Sequence, residues 1–478
     1  MTSSLKGHYM PTPDLAAVCF SDVAAAHPDP AFPRFHPRPA HGWINDPNGV
    51  SFVNGRYHVF FQYNPDSARH HRIAWGHVSS ADLVHWDEHP VALRPQPGGP
   101  DEFGCWTGVV TDDGGVPTAA YSGVRGDGGH SEVVIARGSS DLVHWEQTGH
   151  VAARMPDDPN VTAVRDPFLF RFNGKRYAMQ GAGLANGDAA LLLYSVEDMS
   201  DWKYQGIWFT GNHPMARQHT PAEIWECPQL VRVPDASRGA MDDTWVMIFS
   251  LWLSGDGHEH ANGVGHLIGS LTEDPDTGLP VFAPRSGGKS DLGRDFYAPQ
   301  VVALEDRALL WGWANEGPSR DGRRGRTQDE VDAAGWAGIL TFPRELSVVD
   351  GRLAVRAAPE LDAYRGAEVA RGAAGTMVLP AHAEALVAAT SVPAGSGQGD
   401  AAVELVLVGA AAEQVVFSGA VAAGEELRIF IDASLVEVFR TGNVATTLRA
   451  YPAPGERWEL RLAAGTAAHA WQLGHAPS

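Results

Sequence analysis

Residues 43–55 read Trp-Ile-Asn-Asp-Pro-Asn-Gly-Val-Ser-Phe-Val-Asn-Gly and contain the pattern that recurs through the chain. A polar loop passes into the mainly apolar run Val50–Val53, and Asn54-Gly55 separates that run from a second one, which is the strongest short signal of a β-hairpin. Asp46 stands at the start of the first strand. Pro47 has no N–H to donate, which favours an open strand end where a carboxylate can face a cavity. The same residue types are also common in ordinary turns without a catalytic role. Whether the pattern recurs along the chain therefore decides between a catalytic site and an ordinary turn.

Two sequence repeats predict a propeller. The pentapeptide Asp82–Trp86 recurs unchanged at Asp141–Trp145 and more loosely at Asp198–Trp202, in steps of 59 and 57 residues. The hairpin pattern of residues 52–57 returns at Phe170–Tyr177. Each unit then holds about four short strands in roughly 60 residues, and such units bury their faces by closing into a ring. The alternative is chance repetition of a short Asp-x-x-x-Trp pattern, and the agreement of two independent repeats argues against it.

The opening strands of five units carry special residues at corresponding positions. They are, in chain order, Asp46-Pro47, Cys105–Gly108, Arg165–Pro167, Glu226–Pro228 and Asp295–Pro299, at intervals of 59, 61, 60 and about 70 residues. The predicted fold is all-β, a five-bladed β-propeller over residues 41–345 followed by a C-terminal β-sandwich over residues 363–478. Residues 1–40 are predicted as an irregular, proline-rich lead-in and residues 346–362 as a linker.

Composition and charge limit the kinds of partner. The 478 residues include 53 Gly, 33 Pro and 15 Trp, which favours turns and β structure over amphipathic helices. The formal net charge of -21 argues against nucleic acid and anionic membranes as partners, because both require a basic surface. Three widely spaced cysteines predict no disulfide framework. Neither a signal segment nor a membrane span is indicated, so we expect a cytoplasmic protein with a neutral small-molecule substrate.

Three acidic residues are expected to meet at the channel. The first strand of every propeller blade lines the central channel, so residues at equivalent strand starts converge at one end of it. This places Asp46, Asp166 and Glu226 in one cluster, which is costly unless the pKa values of its members separate. Carboxylates beside aromatic side chains, with no serine or cysteine triad in the pattern, indicate glycoside hydrolysis, which needs two acids in different protonation states.

Five motifs in this order resemble the signatures of glycoside hydrolase family 32, which contains invertases, sucrose-6-phosphate hydrolases, levanases and inulinases. The motifs are Trp43–Gly49, Phe60–Pro65, Trp75–His77, Arg165–Pro167 and Trp225–Pro228. The resemblance covers about residues 35–345, and residues 429–439 also resemble the sandwich of that family. It implies a retaining mechanism on the fold that the repeats already indicate.

The resemblance implies a role for each acid. Asp46 would be the nucleophile that forms a fructosyl-enzyme intermediate, and Glu226 the general acid and then the base that activates water. Asp166 would bind fructose hydroxyls and stabilise the transition state. Six further residues fall where the family binds sugar: Asn45, Gln62, Trp75, Trp106, Thr107 and Arg165. We expect neither a metal nor a cofactor, because the histidines repeat with the blades and no metal-binding spacing occurs.

The chain departs from the family pattern at two places. Trp106-Thr107-Gly108-Val109 stands where the family commonly has Phe-Ser-Gly-Ser, and Gln229 stands where Asp follows Glu-Cys-Pro. The first change keeps an aromatic ring and a hydroxyl, so catalysis should survive it. Tyr297 and Trp313 of the fifth unit are weaker candidates for the site, and a mainly structural role is favoured for both.

The predicted activity is hydrolysis of the terminal fructosyl bond of sucrose and short fructo-oligosaccharides. Sucrose 6-phosphate is the close alternative substrate, because Arg69, His70, His71 and Arg72 lie between two site motifs and would suit a phosphate. Fructosyl transfer to a second sugar and a non-catalytic fructan-binding protein are further alternatives. The sequence leaves open the oligomeric state, a dimer included, and whether the sandwich braces the propeller, narrows the cleft or joins two copies.

Overall fold

Strands dominate the computed structural model, which describes residues 18–126, 130–235, 243–254, 262–316, 325–390, 401–410 and 412–474. Strand β1 (Val18–Cys19) and helix α1 (Phe20–Ala26) precede the propeller. Both lie in the lead-in that was predicted to be irregular. They escape sequence analysis because elements of two and seven residues are too short to show a period. Residues 1–17 of that lead-in are outside the described residues.

Five sheets form the blades, and consecutive strands within a blade pair antiparallel. The first blade contains β2 (Gly42–Val53), β3 (Arg56–Asn64), β4 (Ala74–Ser80) and β5 (Trp86–Leu93), and β1 pairs with β5. The second contains β6 (Gly104–Asp113), β7 (Val116–Val124), β8 (Ser131–Gly138) and β9 (Trp145–Ala153). The third contains β10 (Val161–Phe172), β11 (Lys175–Leu184), β12 (Ala189–Asp198) and β13 (Asp201–Thr210).

A short helix precedes the fourth blade, and another lies within the fifth. After helix α2 (Pro214–His219), the fourth blade contains β14 (Ile224–Arg232), β15 (Trp245–Trp252), β16 (Val264–Glu273) and β17 (Pro280–Lys289). The fifth begins with β18 (Phe296–Ala303) and β19 (Ala308–Ala314), which helix α3 (Gln328–Ala334), β20 (Trp336–Ala337) and β21 (Ile339–Leu340) follow. β20 pairs parallel with β2 and so links the fifth blade to the first. The predicted five-bladed propeller is confirmed. No helix in the described ranges is long and apolar enough to cross a membrane.

The residues predicted as a linker, 346–362, are instead largely part of the propeller. Strands β22 (Arg344–Val349) and β23 (Arg352–Ala357) complete the fifth blade, in which β22 pairs with β19. A 3-10 helix, Pro359–Tyr364, follows them. Short alternating strands have the same pattern in a blade and in a sandwich, so only their pairing partners assign them to one or the other.

The C-terminal part forms a β-sandwich-like sheet of eight strands, as predicted. They are β24 (Arg365–Leu379), β25 (His382–Ala389), β26 (Ala401–Val408), β27 (Glu413–Val421), β28 (Glu426–Asp432), β29 (Leu435–Arg440), β30 (Thr446–Arg449) and β31 (Arg457–Leu473). The long β31 joins the two layers, because its first half pairs with β26 and its second half with β25. β30 lies at one edge of the sheet, where it faces the propeller.

Both sequence repeats correspond to turns. Asn54 and Gly55 have φ angles of 52° and 77°, and Asn173 and Gly174 have 48° and 77°. Positive φ at both central residues is the type I′ geometry that matches the twist of a hairpin. These turns connect the first strand to the second in blades one and three, as the sequence predicted.

The Asp-x-x-x-Trp repeat connects the third strand to the fourth in the first three blades. In the first blade, Asp82 Oδ1 accepts the N–H groups of Val84 and His85 at 2.9 and 2.8 Å. The indole N–H of Trp86 donates to the carbonyl oxygen of Leu83 at 3.2 Å. The repeat is therefore a turn that supplies its own hydrogen bonds, at the end of the blade opposite the strand starts that carry the acids.

A buried ionic network joins the propeller to the sandwich. His36 Nδ1 lies 2.7 Å from Asp432, and His36 Nε2 lies 2.9 Å from Glu437. Arg344 also contacts Glu437, at 2.6 Å, and Asp291, at 2.7 Å. Because an ionised carboxylate only accepts hydrogen bonds, both ring nitrogens of His36 carry protons. Burial acts to lower the pKa of His36, but the hydrogen bonds to the two carboxylates outweigh it and raise that pKa.

Candidate active site

All five inner strands are interrupted at the same place by a β-bulge. The inner strand gains one residue relative to its neighbour between Ile44 and Pro47, Cys105 and Gly108, Arg165 and Phe168, Glu226 and Gln229, and Tyr297 and Gln300. A bulge bends the strand and re-aims its side chains. Asp46 and Asp166 lie within their bulges and Glu226 lies immediately before one, so the same local distortion presents all three acids at one end of the channel.

Contacts between neighbouring blades hold three of the bulges. Asp166, Cys227 and Ala298 each precede a proline and have φ angles of 60°, 49° and 49°. Such angles are unfavourable for residues with a side chain. The N–H of Asp166 donates to Ser122 Oγ at 2.8 Å, and the N–H of Ala298 donates to Ser250 Oγ at 2.9 Å. The N–H of Cys227 donates to Asp166 Oδ2 at 2.8 Å, so one acid of the cluster anchors the next blade.

Asp46 is surrounded by hydrogen-bond donors. Its Oδ1 accepts from Asn45 Nδ2 at 3.0 Å. Its Oδ2 accepts from Gln62 Nε2 at 3.0 Å, from the Thr107 hydroxyl, and from the Cys227 thiol at 3.3 Å. Within the described residues Oδ1 is therefore the less engaged oxygen. The structure brings three of the predicted sugar-binding residues, Asn45, Gln62 and Thr107, into direct contact with the predicted nucleophile.

These three residues form a connected network. Asn45 Nδ2 also donates to Gln62 Oε1 at 3.0 Å, and Gln62 Nε2 also donates to Thr107 Oγ1 at 2.8 Å. The indole N–H of Trp43 donates to Asn45 Oδ1 at 2.9 Å, which sets the orientation of that amide. All three network side chains are more than nine-tenths buried. A satisfied buried network of this kind is rigid, so the carboxylate of Asp46 is held in one orientation.

Glu226 is held by one donor on each oxygen. Arg165 Nε donates to Oε1 at 2.9 Å, and the Tyr297 hydroxyl donates to Oε2 at 2.8 Å. The side chain of Glu226 is 15% exposed, whereas Tyr297 is buried. A carboxyl group that is fixed on both sides and still reaches the cleft is suited to exchange a proton with a bound molecule. Arg165 was predicted at the site, and here it binds an acid of the cluster.

The electrostatics of the cluster favour retained protons. Burial and then repulsion from Glu226 raise the pKa of Asp166 to about 8, although the Arg165 guanidinium acts to lower it. Burial also raises the pKa of Asp46 to about 6, against the hydrogen bond from Thr107. Neighbouring carboxylates of this kind do not all ionise near neutral pH. At pH 7 the cluster therefore retains a proton on Asp166.

Aromatic side chains border the acids. The ring centroid of His70 lies 6.1 Å from that of Trp43 and 5.6 Å from that of Trp106, and Trp43 lies 5.7 Å from Trp313. Trp106 stays partly exposed, as its predicted contact with a sugar requires. Burial lowers the pKa of His70 to about 4, so this ring is neutral at pH 7. These aromatic side chains are uncharged and largely apolar, which suits contact with a sugar.

The sequence predicted that Trp75 binds sugar, but its side chain does not reach the cleft. Its side chain is completely buried between the first two blades, with its ring centroid 5.8 Å from those of both Phe60 and Tyr121. Its indole N–H donates to the carbonyl oxygen of Trp106 at 3.0 Å. Trp75 therefore supports the backbone beside Thr107 and cannot touch a sugar in this conformation. Which face of a strand a tryptophan occupies depends on register, which is a property of the folded sheet.

Two members of the cluster were not predicted in the positions they occupy. The Cys227 thiol lies 3.3 Å from Asp46 Oδ2 and 3.7 Å from Asp166 Oδ2, although neighbours on a regular strand face opposite sides. Tyr297 was expected to be mainly structural, and it binds Glu226. One sequence signal pointed to both: Cys-Pro and Ala-Pro repeat the position of Asp166-Pro167, and thus the bulge that turns the chain toward the cleft.

Comparison with known proteins agrees with this arrangement. Residues 36–359 match the profile of the glycosyl hydrolases family 32 N-terminal domain, and residues 397–472 match that of the family 32 C-terminal domain. The chain is 32% identical over 361 residues to a raffinose invertase of Escherichia coli, a match that covers 73% of this chain and 70% of the relative. It is 29% identical over 485 residues to a sucrose-6-phosphate hydrolase of Escherichia coli, which covers 93% and 95% of the two chains.

A solved structure has the same fold. A variant of a Bombyx mori GH32 beta-fructofuranosidase in complex with sucrose superposes with a TM-score of 0.76, at 24% identity, over 96% of this chain and 97% of that one. The family profile of the N-terminal domain alone spans more than half of the present sequence. On these grounds, and on the motifs that bring the acids together, the chain belongs to glycosyl hydrolase family 32.

Proposed function

We propose that this chain is a retaining β-fructofuranosidase that hydrolyses the terminal, non-reducing fructosyl bond of sucrose and short fructo-oligosaccharides. The observation that carries the proposal is the convergence of Asp46, Asp166 and Glu226 from three blades, with the Cys227 thiol in contact with the first two. Glycoside hydrolysis with retention requires two carboxyl groups in different protonation states, and a third can hold the sugar. The raffinose invertase and the sucrose-6-phosphate hydrolase among the relatives support a fructosyl substrate.

In the first step, Asp46 attacks the anomeric carbon of the fructosyl unit while Glu226 protonates the leaving oxygen. Oδ1 of Asp46 is the attacking atom, because Oδ2 accepts hydrogen bonds from Gln62, Thr107 and Cys227. The glycosidic bond breaks, an ester between the sugar and Asp46 forms, and the proton of Glu226 leaves with the first product.

In the second step, Glu226 acts as the base. It removes a proton from water, which attacks the anomeric carbon from the face opposite Asp46 and releases fructose with its original configuration. Arg165 and Tyr297 stabilise the ionised form of Glu226 between the two steps, since each donates a hydrogen bond to one of its oxygens. Asp166 binds fructose hydroxyls beside the reacting carbon.

The border of the cleft supports an unphosphorylated substrate. Arg69 Nε already donates to Asp332 Oδ1 of α3 at 3.0 Å. His70 packs against Trp43 and Trp106 and is neutral at pH 7. Two of the four basic residues that would suit a phosphate are thus engaged elsewhere or uncharged. Sucrose 6-phosphate is the second candidate, because the sucrose-6-phosphate hydrolase relative matches nearly the whole chain.

The first experiment is to incubate the purified protein with sucrose and to measure free glucose and free fructose separately. Equal release supports hydrolysis of the fructosyl bond. Glucose in excess of fructose indicates transfer to a second sugar. A kcat/KM for sucrose 6-phosphate far above that for sucrose overturns the choice of substrate. If neither sugar is cleaved, a non-catalytic fructan-binding protein becomes the better interpretation.

Variants test the assigned roles. Asp46→Asn is expected to lower kcat by at least about a thousandfold, because the covalent step is lost. Glu226→Ala lacks the acid of the first step and the base of the second. Azide, which needs no base, is expected to accelerate the second step only and to give a fructosyl azide of retained configuration. Asp201→Asn is the control, since Asp201 is an exposed acid on β13. Full sugar release by Asp46→Asn, or an azide product of inverted configuration, contradicts the assignment.

A further inference from the structure

The chain enters the fifth blade through a segment, residues 291–295, that lies along the edge of the sandwich. We infer that the sandwich takes part in catalysis through this segment, by holding Tyr297 in hydrogen-bond contact with Glu226. Strand β30 and residues 291–295 would then be positioning elements of the active site. The inference rests on the proposed role of Glu226 as acid and base.

Backbone contacts tie the segment to the edge strand β30. The N–H of Leu292 donates to the carbonyl oxygen of Ala445 at 2.8 Å, and the N–H of Asp295 donates to that of Thr447 at 3.4 Å. The segment begins with a parallel bridge to Ala445. The last residue before Phe296 and Tyr297 is thus already bound to the sandwich.

Asp291 fastens the segment with charged hydrogen bonds. Its Oδ1 accepts the N–H groups of Thr447 and Gly293 at 2.9 and 2.7 Å. Its Oδ2 accepts from the Thr447 hydroxyl at 2.6 Å and from Arg344 Nη1 at 2.7 Å. Asp291, Thr447 and Arg344 are buried. Hydrogen bonds to ionised groups are among the strongest in proteins, so the segment has little freedom to move away from β30.

Gly293 allows the two backbones to approach closely. A Cβ atom at this position would lie 1.9 Å from the carbonyl oxygen of Thr447 and 2.3 Å from its nitrogen. The obstacle is backbone, which cannot rotate aside as a side chain does. Any residue larger than glycine must therefore push the segment away from β30.

The segment leads directly to the acid. Phe296 is completely buried, and the Arg344 guanidinium lies over its ring at 4.6 Å. The next residue, Tyr297, donates its hydroxyl to Glu226 Oε2 at 2.8 Å. A misplacement of about 1 Å can cost a catalytic group about a hundredfold in rate. Only four positions of the chain separate Gly293 from Tyr297, so displacement of the segment should also move the Tyr297 hydroxyl.

The test is a double-mutant cycle on kcat with sucrose as substrate. Gly293→Ala and Tyr297→Phe are each expected to lower kcat about tenfold with little change in KM, which corresponds to the loss of one hydrogen bond to a charged group. If the sandwich acts through Tyr297, the double variant is no slower than Tyr297→Phe alone. Losses that multiply overturn the inference, because Gly293→Ala then acts by a route that does not involve Tyr297.

A milder variant guards against poor folding of Gly293→Ala. Thr447→Val removes the hydroxyl that donates to Asp291 and accepts from Arg344 Nη2, and it changes the shape little. It is expected to lower kcat in the wild-type background and to have no further effect beside Tyr297→Phe. Gly474→Ala is the matched control, because an alanine there would meet nothing within 4 Å. It should leave both kcat and the melting temperature unchanged.

A structural measurement separates this inference from the proposed function. Crystal structures of the wild type and of Gly293→Ala give the distance from Tyr297 Oη to Glu226 Oε2 whatever the substrate is. We expect the distance to exceed about 3.5 Å in the variant, beyond a hydrogen bond. An unchanged distance overturns the inference. A changed distance in a protein whose wild type does not cleave sucrose overturns only the proposed function.

Discussion

Each acid of the cluster is controlled by a residue from another blade. Thr107 of β6 donates to Asp46 of β2, and the N–H of Cys227 of β14 donates to Asp166 of β10. Glu226 receives its donors from the third and fifth blades. The protonation of the cluster is therefore a property of the assembled ring, and single substitutions should change it in a predictable direction.

Asp166→Asn should stabilise the protein at neutral pH while it removes activity. The pKa of Asp166 rises from an ordinary 3.8 to about 8 in the folded state, so the folded state binds this proton more tightly than the unfolded state. Stability from this group is complete below about pH 4 and is lost as the pH rises toward about 8. One pKa unit corresponds to about 1.4 kcal/mol, so the gain at pH 7 is on the order of a few kcal/mol.

Thermal unfolding of wild type and Asp166→Asn between pH 4 and pH 8 measures this effect. The variant should melt at a higher temperature at pH 7 and 8, and the difference should vanish near pH 4. A variant that is less stable than wild type at pH 8 would show that Asp166 is stabilised by its contacts despite its burial.

Thr107→Val should shift the pH dependence of activity. The Thr107 hydroxyl acts to lower the pKa of Asp46, which is about 6. Without that donor the pKa of Asp46 rises, and a nucleophile must be ionised, so the acidic limb of kcat/KM should move to higher pH. Thr107→Ser keeps the hydroxyl and should retain the wild-type limb. The measurement is kcat/KM of wild type and both variants from pH 4 to 8. If the acidic limbs of Thr107→Val and Thr107→Ser coincide, the expectation is wrong.

At the scale of single elements, each blade is a meander of strands, and its two ends differ in function. The bulges at one end present the acids, and the repeated turns at the other end hold the strands together. A turn that supplies its own hydrogen bonds stabilises the blade without any contact to the site. Substitutions in these turns should therefore change stability and leave catalysis intact.

Asp82→Ala is the test at this scale. It leaves the N–H groups of Val84 and His85 without the acceptor that the turn supplies, at a cost of about 1 kcal/mol, as for loss of a helix cap. Chemical denaturation at pH 7 gives the free energy of unfolding, and kcat should be unchanged. Asp276→Ala is the matched control, because Asp276 is exposed in the corresponding turn between β16 and β17. An equal effect of both variants would contradict the role of the Asp82 carboxylate.

At the scale of the whole molecule, the buried ionic network connects the propeller to the sandwich. His36, Arg344 and Asp291 on the propeller side meet Asp432 and Glu437 on the sandwich side. Removing one member of a buried charge pair is much more costly than the pair is worth, because a charge stays buried without compensation. The propeller and the sandwich should therefore unfold together, and the stability that the buried ionic network contributes should depend on pH.

His36→Gln should destabilise the protein most below pH 7. The pKa of His36 is raised by Asp432 and Glu437, so its stabilising effect is complete below the unfolded value of about 6.5 and is lost as the pH rises through the folded value. At pH 6 the expected loss is about 3–5 kcal/mol. Denaturation at pH 6 and pH 9 measures it, with the exposed His71→Gln as control. A loss that grows with pH would contradict a protonated His36.

The sequence by itself determined the number of blades, the hairpin turns, the sandwich and the family. These features depend on patterns that are local along the chain: alternating apolar runs, Asn-Gly turns and repeats of about 60 residues. It also pointed to three acids, because equivalent strand starts in a propeller converge. Elements too short for a period, such as β1 and α1, and the assignment of β22 and β23 to the fifth blade were beyond it.

Only the tertiary structure decided how the site is built. The Cys227 thiol reaches Asp46 across 181 positions of the chain, and Tyr297 reaches Glu226 across 71. Local patterns carry no information about such contacts, which depend on how the blades pack and on bulges that change the direction of side chains. The same reason placed Trp75 in the core instead of the cleft. The joint of propeller and sandwich, and the path from β30 to Tyr297, exist only in the folded molecule.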